Sequence, residues 1–108
     1  MDIVRKSMEG SICFAILLDR QVVGFARVIS DKSTFAYICD LFVLSEHRGN
    51  GLGKWLVEFI MNHQELQNLR RWALATKDAH GLYQQYGFCD LAAPKMFMEK
   101  LTPYTQDL

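Results

Sequence analysis

The chain has 108 residues, which is enough for one domain and too few for two. Half are hydrophobic and 12% aromatic, so a packed core is available. Twelve basic residues balance twelve acidic ones, and zero formal net charge without a basic patch argues against nucleic acid as a partner.

Residues 2–8 are mixed and read as a short helical remnant. Ile12 to Leu18 is an apolar run, Asp19-Arg20-Gln21 a polar break, and Val22 to Ile29 a second run, so these segments predict a β-hairpin. Ser30 to Thr34 is a further turn, and Phe35 to Leu44 the third strand of an antiparallel meander. Leu52, Leu56, Phe59, Ile60 and His63 recur at helical spacing and predict one apolar helix face, with His63 as a C-terminal cap or a solvent contact rather than a ligand. Arg71 to Ala75 follows as a strand, Ala79 to Tyr86 as a short helix closed by Gly87, and Met96 to Met98 as a final strand. The layout is α+β, or mixed α/β: a mostly antiparallel sheet with a parallel strand–helix–strand crossover over 36–75.

Between the third strand and its helix lies Glu46-His47-Arg48-Gly49-Asn50-Gly51-Leu52-Gly53-Lys54. A glycine-rich turn that opens a helix is an anion trap. The first helical amides lack partners, the helix dipole adds positive potential, and glycines admit close approach. Arg48 and Lys54 can add charge. The run is not a Walker A loop, because Trp55 follows Gly53-Lys54, and its Gly-x-Gly-x-Gly spacing departs from the dinucleotide fingerprint. Parallel strands on either side of the helix would splay at their ends and open a cleft beside this turn, which suits a phosphorylated cofactor.

Cys13, Cys39 and Cys89 form no close pair, and Cys13 and Cys39 lie in apolar runs. Buried free thiols in a reducing cytoplasm are expected, and no metal site, since no Cys-x-x-Cys or close histidine pair occurs. The longest apolar run is far too short to cross a bilayer, and the first residues do not lead into a signal sequence.

Two segments in register resemble the GNAT superfamily of N-acetyltransferases. Arg48-Gly49-Asn50-Gly51-Leu52-Gly53 is similar to its Arg/Gln-x-x-Gly-x-Gly/Ala signature, and Ala79 to Phe88 to its Ala-x-x-Leu-Tyr-x-x-x-Gly-Phe segment. Val22 to Arg27 looks like the family's second sheet strand, and the resemblance runs from about residue 12 to 100. It implies a single acetyltransferase-like domain over 1–108 that uses acetyl-CoA. The diphosphate would sit on amides of Arg48, Gly49, Asn50, Gly51, Leu52, Gly53 and Lys54. The pantetheine arm would run along Leu41, Phe42 and Val43. Tyr83 would protonate the departing thiolate. Thr76 stands where the family commonly carries Asn, and offers one hydroxyl instead of an amide. The family's leading strand and helices are absent or reduced, so the acceptor site would be open or covered by a second copy; an exposed first strand suits a homodimer.

A base is needed to free the attacking amine. Asp40, set among Ile38, Cys39, Leu41 and Phe42, is the first choice, because burial would raise its basicity. Glu46, His47 and His80 are weaker choices. Tyr86, Trp55 and Trp72 read as packing, and Arg27 and Asp31 as surface charges that pair. The leading reading is transfer of acetyl to a small-molecule or peptide amine. A non-catalytic acetyl-CoA-binding module or partner subunit, and a structural dimer that binds no nucleotide, are the alternatives.

Overall fold

The computed structural model describes residues 2–103, so Met1 and residues 104–108 of the expected domain lie outside the described residues. Its elements are α1 (Asp2–Glu9), β1 (Ile12–Leu18), β2 (Gln21–Ser30), β3 (Phe35–Val43), α2 (Leu52–Met61), β4 (Arg71–Leu74) and α3 (His80–Gln84), with single 3₁₀ turns at Ser45–His47, Gln64–Leu66 and Pro94–Met96. The sheet has four strands in the order β1-β2-β3-β4. β1 and β2 pair antiparallel through a two-residue turn in which Asp19 and Arg20 both have positive φ, the geometry that matches strand twist. β2 and β3 pair antiparallel, and β3 and β4 pair parallel from Phe35↔Arg71 to Ile38↔Leu74, as the crossover expectation requires.

α2 covers one face of this sheet. Leu56, Val57 and Ile60 are buried against Phe14, Ile16, Ala26, Val28, Ala36 and Ile38. The predicted stripe is corrected at one position. Val57 is in the core, whereas Phe59 is 58% exposed and lies against the edges of Phe14 and Trp55. Trp55 is also exposed, and Trp72 packs against the core from β4. His63 does not cap α2. Its Nδ1 accepts from the Glu65 N–H at 3.2 Å and so caps the 3₁₀ turn that follows.

The expected strand at Met96–Met98 is absent. Residues 94–96 form a 3₁₀ turn started by Pro94, and Met96 and Met98 are 81% and 96% exposed. Apolar composition alone suggested a strand there, and no cross-strand partner supplies it. Cys13 is exposed, not buried, Cys39 is half-buried and Cys89 is exposed; all are free. Cys13 lies between the buried Phe14 and the turn after α1, on the outward side of the edge strand. Asp31 does not pair with Arg27. Its carboxylate accepts from the Thr34 hydroxyl and from the N–H groups of Ser33, Thr34 and Phe35, which closes the β2–β3 turn. These bonds, the Thr34 hydroxyl first, hold that carboxyl well below the usual carboxylate range.

Candidate active site

The parallel pairing of β3 with β4 ends at Ile38↔Leu74, while β3 runs on to Val43. Just past that point β3 carries a bulge. Phe25 faces Phe42 and Arg27 faces Cys39, so Asp40 and Leu41 together oppose Ala26 alone. Asp40 takes φ of 56°, the left-handed region that non-glycine residues seldom occupy. The extra residue reverses the facing of everything beyond it. Ala36 and Ile38 point into the core, and strict alternation would bury Asp40 and Phe42 next. With the bulge, Leu41 and Val43 turn inward, and Phe42 is left 43% exposed.

This corrects the environment expected for Asp40. It is exposed rather than buried, and Arg27 Nε donates to its Oδ2 at 2.9 Å. Arg27 also donates to Ser11 Oγ at 3.1 Å, which ties the bulge to the start of β1. The bond to Asp40 raises the Arg27 pKa further, so the guanidinium keeps its charge throughout the working range.

The glycine-rich turn lies between β3 and α2. Gly49 and Gly51 have φ of 85° and 76°, and a Cβ added at either would meet nothing within 4 Å. The backbone is therefore bare on the side where side chains would project. Gly51 is the N-cap of α2, and no side chain caps the helix. The first helical bond found there is Trp55 N–H to Gly51 carbonyl, so the amides of Leu52, Gly53 and Lys54 precede the ladder. Arg48 is folded back, its Nε donating to the Val43 carbonyl at 2.9 Å, which fixes the turn against the end of β3. Lys54 is exposed. Asn50 lies exposed between the two glycines. Glu46 and His47 occupy the preceding 3₁₀ turn, with Glu46 exposed.

α3 approaches this turn from the other side. A Cβ on Gly53 would be 4.0 Å from Leu82 Cδ2, and the Tyr86 hydroxyl donates to the Lys54 carbonyl at 3.4 Å. Thr76 Oγ1 accepts from the Ala79 N–H at 3.1 Å and so caps the bend between β4 and α3. Gly87, at φ of 92°, closes the turn after α3. Tyr83 is 7% exposed, its ring set edge-on to Phe88 at 5.7 Å between centroids. Burial pushes the phenol pKa up, so it holds its proton across neutral pH. Its hydroxyl has no hydrogen-bond partner among the described residues.

A cavity of about 440 Å³ adjoins Tyr83, between β4, α3 and residues 88–97. Thr76 and Tyr83 line it; Asp40, the Leu41–Val43 stretch and the glycine turn do not. The structure thus assembles two zones, a bare helix start beside the parted strands and an aromatic hollow, with α3 reaching both. Sequence reasoning missed the walls of the hollow, chiefly Tyr37, Trp72, Asp90 and Phe97. Of its lining, His80, Tyr83, Gln84 and Phe88 fall inside the second motif, and Thr76 is singled out beside it.

The chain resembles known proteins along most of its length. Residues 9–90 match the family model described as an acetyltransferase (GNAT) domain. A crystal structure of a candidate GNAT acetyltransferase from Xanthomonas campestris is 50% identical, with a TM-score of 0.90 over 94% of this chain and 72% of that one. A candidate acetyltransferase from Clostridium acetobutylicum, solved with acetyl-CoA, shares the fold at 17% identity and a TM-score of 0.71, covering 93% of this chain and 71% of that one. A candidate acetyltransferase of Gibberella zeae is 31% identical over 102 residues, covering 76% of this chain and 57% of that protein. This chain thus spans little more than half the length of that curated relative. No helix among the described residues is long and apolar enough to cross a membrane. With both signature segments lying where the strands part, and the family model covering residues 9–90, the chain belongs to the GNAT family of acetyltransferases.

Proposed function

We propose that this protein transfers an acetyl group from acetyl-CoA to the amine of a small molecule or peptide, by direct attack of the amine. The observation that carries the reading is the uncapped, glycine-bare start of α2 set where β3 leaves β4. Acetyl-CoA, when bound, supplies an activated acetyl thioester. The amides of Leu52, Gly53 and Lys54, with those of Gly49, Asn50 and Gly51, suit its diphosphate, because they offer donors and no side chain blocks them. Lys54 adds charge, and Arg48 orders the turn through Val43. Leu41, Phe42 and Val43 form the stretch of β3 that β4 leaves unpaired, a free edge to which the amides of a pantetheine arm can bond. A backbone amide near Phe42 or Val43 suits the developing oxyanion.

Tyr83 serves as general acid for the thiolate. Its phenol, kept protonated by burial of the ring, carries a proton that no group among the described residues engages. Thr76 shapes the bend beside it. Asp40 serves as the base for the amine, held at the bulge by Arg27, with its exposed carboxylate able to act through a water. In this role its merit is position at the parted strands, not burial.

The test is thiol release from acetyl-CoA with a panel of amines, alongside calorimetry of the coenzyme alone. Turnover with at least one amine supports transfer. Tight coenzyme binding with no turnover across small amines, polyamines and peptides would favour a non-catalytic binding module, and unchanged melting on adding CoA would reject both. An intracellular setting and a homodimer through the free edge of β1 belong to the same proposal, and size measurement in solution tests the latter.

A further inference from the structure

We propose that the 440 Å³ cavity between β4, α3 and residues 88–97 receives the acceptor, and that this acceptor is a primary amine on an apolar, aromatic body. This rests on the transferase reading above. The hollow meets the reacting zone at Thr76 and Tyr83, whose hydroxyl is unpartnered within a side chain that is 7% exposed. From there it follows β4 inward along Tyr37, Phe97 and the edge-to-face pair of Trp72 and Phe88, whose centroids are 6.4 Å apart. Its volume is in the range of small-molecule sites and leaves room for a ring plus a short amine arm.

Charge selects further. Among the described residues no lysine or arginine lines the cavity, His80 stands at its α3 end, and Asp90 is the one carboxylate. The nearest cation along β4, Arg71, lies with its guanidinium 5.1 Å over the Phe97 ring and opens on a neighbouring hollow instead. A phosphate or carboxylate on the acceptor would meet no permanent cation and would face Asp90, which is costly in a partly enclosed site. A protonated amine meets aromatic faces and a carboxylate, both of which attract it. One carboxylate serves one ammonium, so a long polyamine, whose further ammonium groups would each lose water, is disfavoured.

The test joins a binding readout to turnover. Phenethylamine is titrated into the full chain while the two indole N–H resonances are followed. The Trp72 signal shifts with saturation and that of Trp55, outside the cavity, does not. With acetyl-CoA saturating, phenethylamine and tryptamine give kcat/KM at least tenfold above glucosamine 6-phosphate and spermidine. Ala75→Trp, at an exposed position on the cavity wall, raises KM for phenethylamine at least tenfold and leaves the acetyl-CoA Kd and the melting temperature unchanged. Preference for the phosphorylated amine or for spermidine, a still Trp72 resonance, or an unaltered KM in Ala75→Trp overturns the inference while transfer itself stands. A Trp72 shift without turnover of any amine overturns the transferase reading, and with it the acceptor role, leaving only an amine-binding cavity.

Discussion

Arg27 and Asp40 meet across β2 and β3, guanidinium Nε to carboxylate Oδ2 at 2.9 Å, at the one point where β3 bulges beside its departure from β4. Asp40 is more than half exposed, so the pair adds little stability by itself, about 0–1 kcal/mol. What it does is fix the direction of a carboxylate that left-handed backbone has turned out of the sheet. Asp40→Asn is expected to lower kcat about 100-fold or more while the acetyl-CoA Kd stays constant, since a positioned base contributes about 10²–10⁴. Arg27→Met should give a smaller loss in kcat. Full activity in Asp40→Asn removes Asp40 from the base role.

Tyr83→Phe tests the proposed acid. A fall in kcat of about 100-fold or more with coenzyme affinity unchanged is expected, measured by thiol release and calorimetry. Burial raises the phenol pKa in the folded chain above its unfolded value near 10, so the ionised form is the disfavoured one. The stability linked to Tyr83 is complete below about pH 10 and is lost as pH rises through that value. Wild-type alkaline unfolding should therefore steepen above pH 10, and Tyr83→Phe should lack that component.

The bare turn before α2 makes a third test. Gly51→Ala forces a Cβ onto φ of 76°, which costs about 1–2 kcal/mol of backbone energy. The added methyl projects into the open space proposed for the diphosphate. The acetyl-CoA Kd is expected to rise at least tenfold, by more than the drop in melting temperature explains. An unchanged Kd would place the coenzyme elsewhere.

Asp31 governs a pH effect of opposite sign. Thr34 and Ser33 lower its carboxyl pKa in the folded state, so its contribution is present above the ordinary carboxylate value of about 4 and disappears as pH falls below it. Asp31→Ala should lower the urea midpoint at pH 7, and the gap from wild type should shrink on titration to pH 3.

Ile60 is fully buried where α2 meets the sheet. Ile60→Ala should cost about 2–5 kcal/mol in urea unfolding, whereas Phe59→Ala, on the exposed flank, should cost well under half of that.

The hairpin, the helix at residues 52–61, the parallel return to β4 and the helix at Tyr83 were all legible in the sequence, because each rests on local chemistry: turn residues, apolar period and glycine stops. The glycine turn was legible for the same reason, since positive φ at Gly49 and Gly51 is a property of those residues themselves. The facing of Asp40 was not. Its neighbours on either side are apolar, and only the pairing of Phe25 with Phe42 and Arg27 with Cys39 shows that one residue of β3 is in excess. Val57 replacing Phe59 in the core was hidden too, because the two flank Leu56 and Ile60 on opposite sides and periodicity alone cannot say which side meets the sheet.

The order of elements and the anion-ready start of α2 were thus determined by residues acting over one or two turns of chain. The outward aspartate and the aromatic hollow were decided by tertiary structure, since each depends on strands and loops far apart in sequence coming into register. A bulge, a cross-strand ion pair and a cavity wall exist only between segments, and no single segment encodes its neighbour's position.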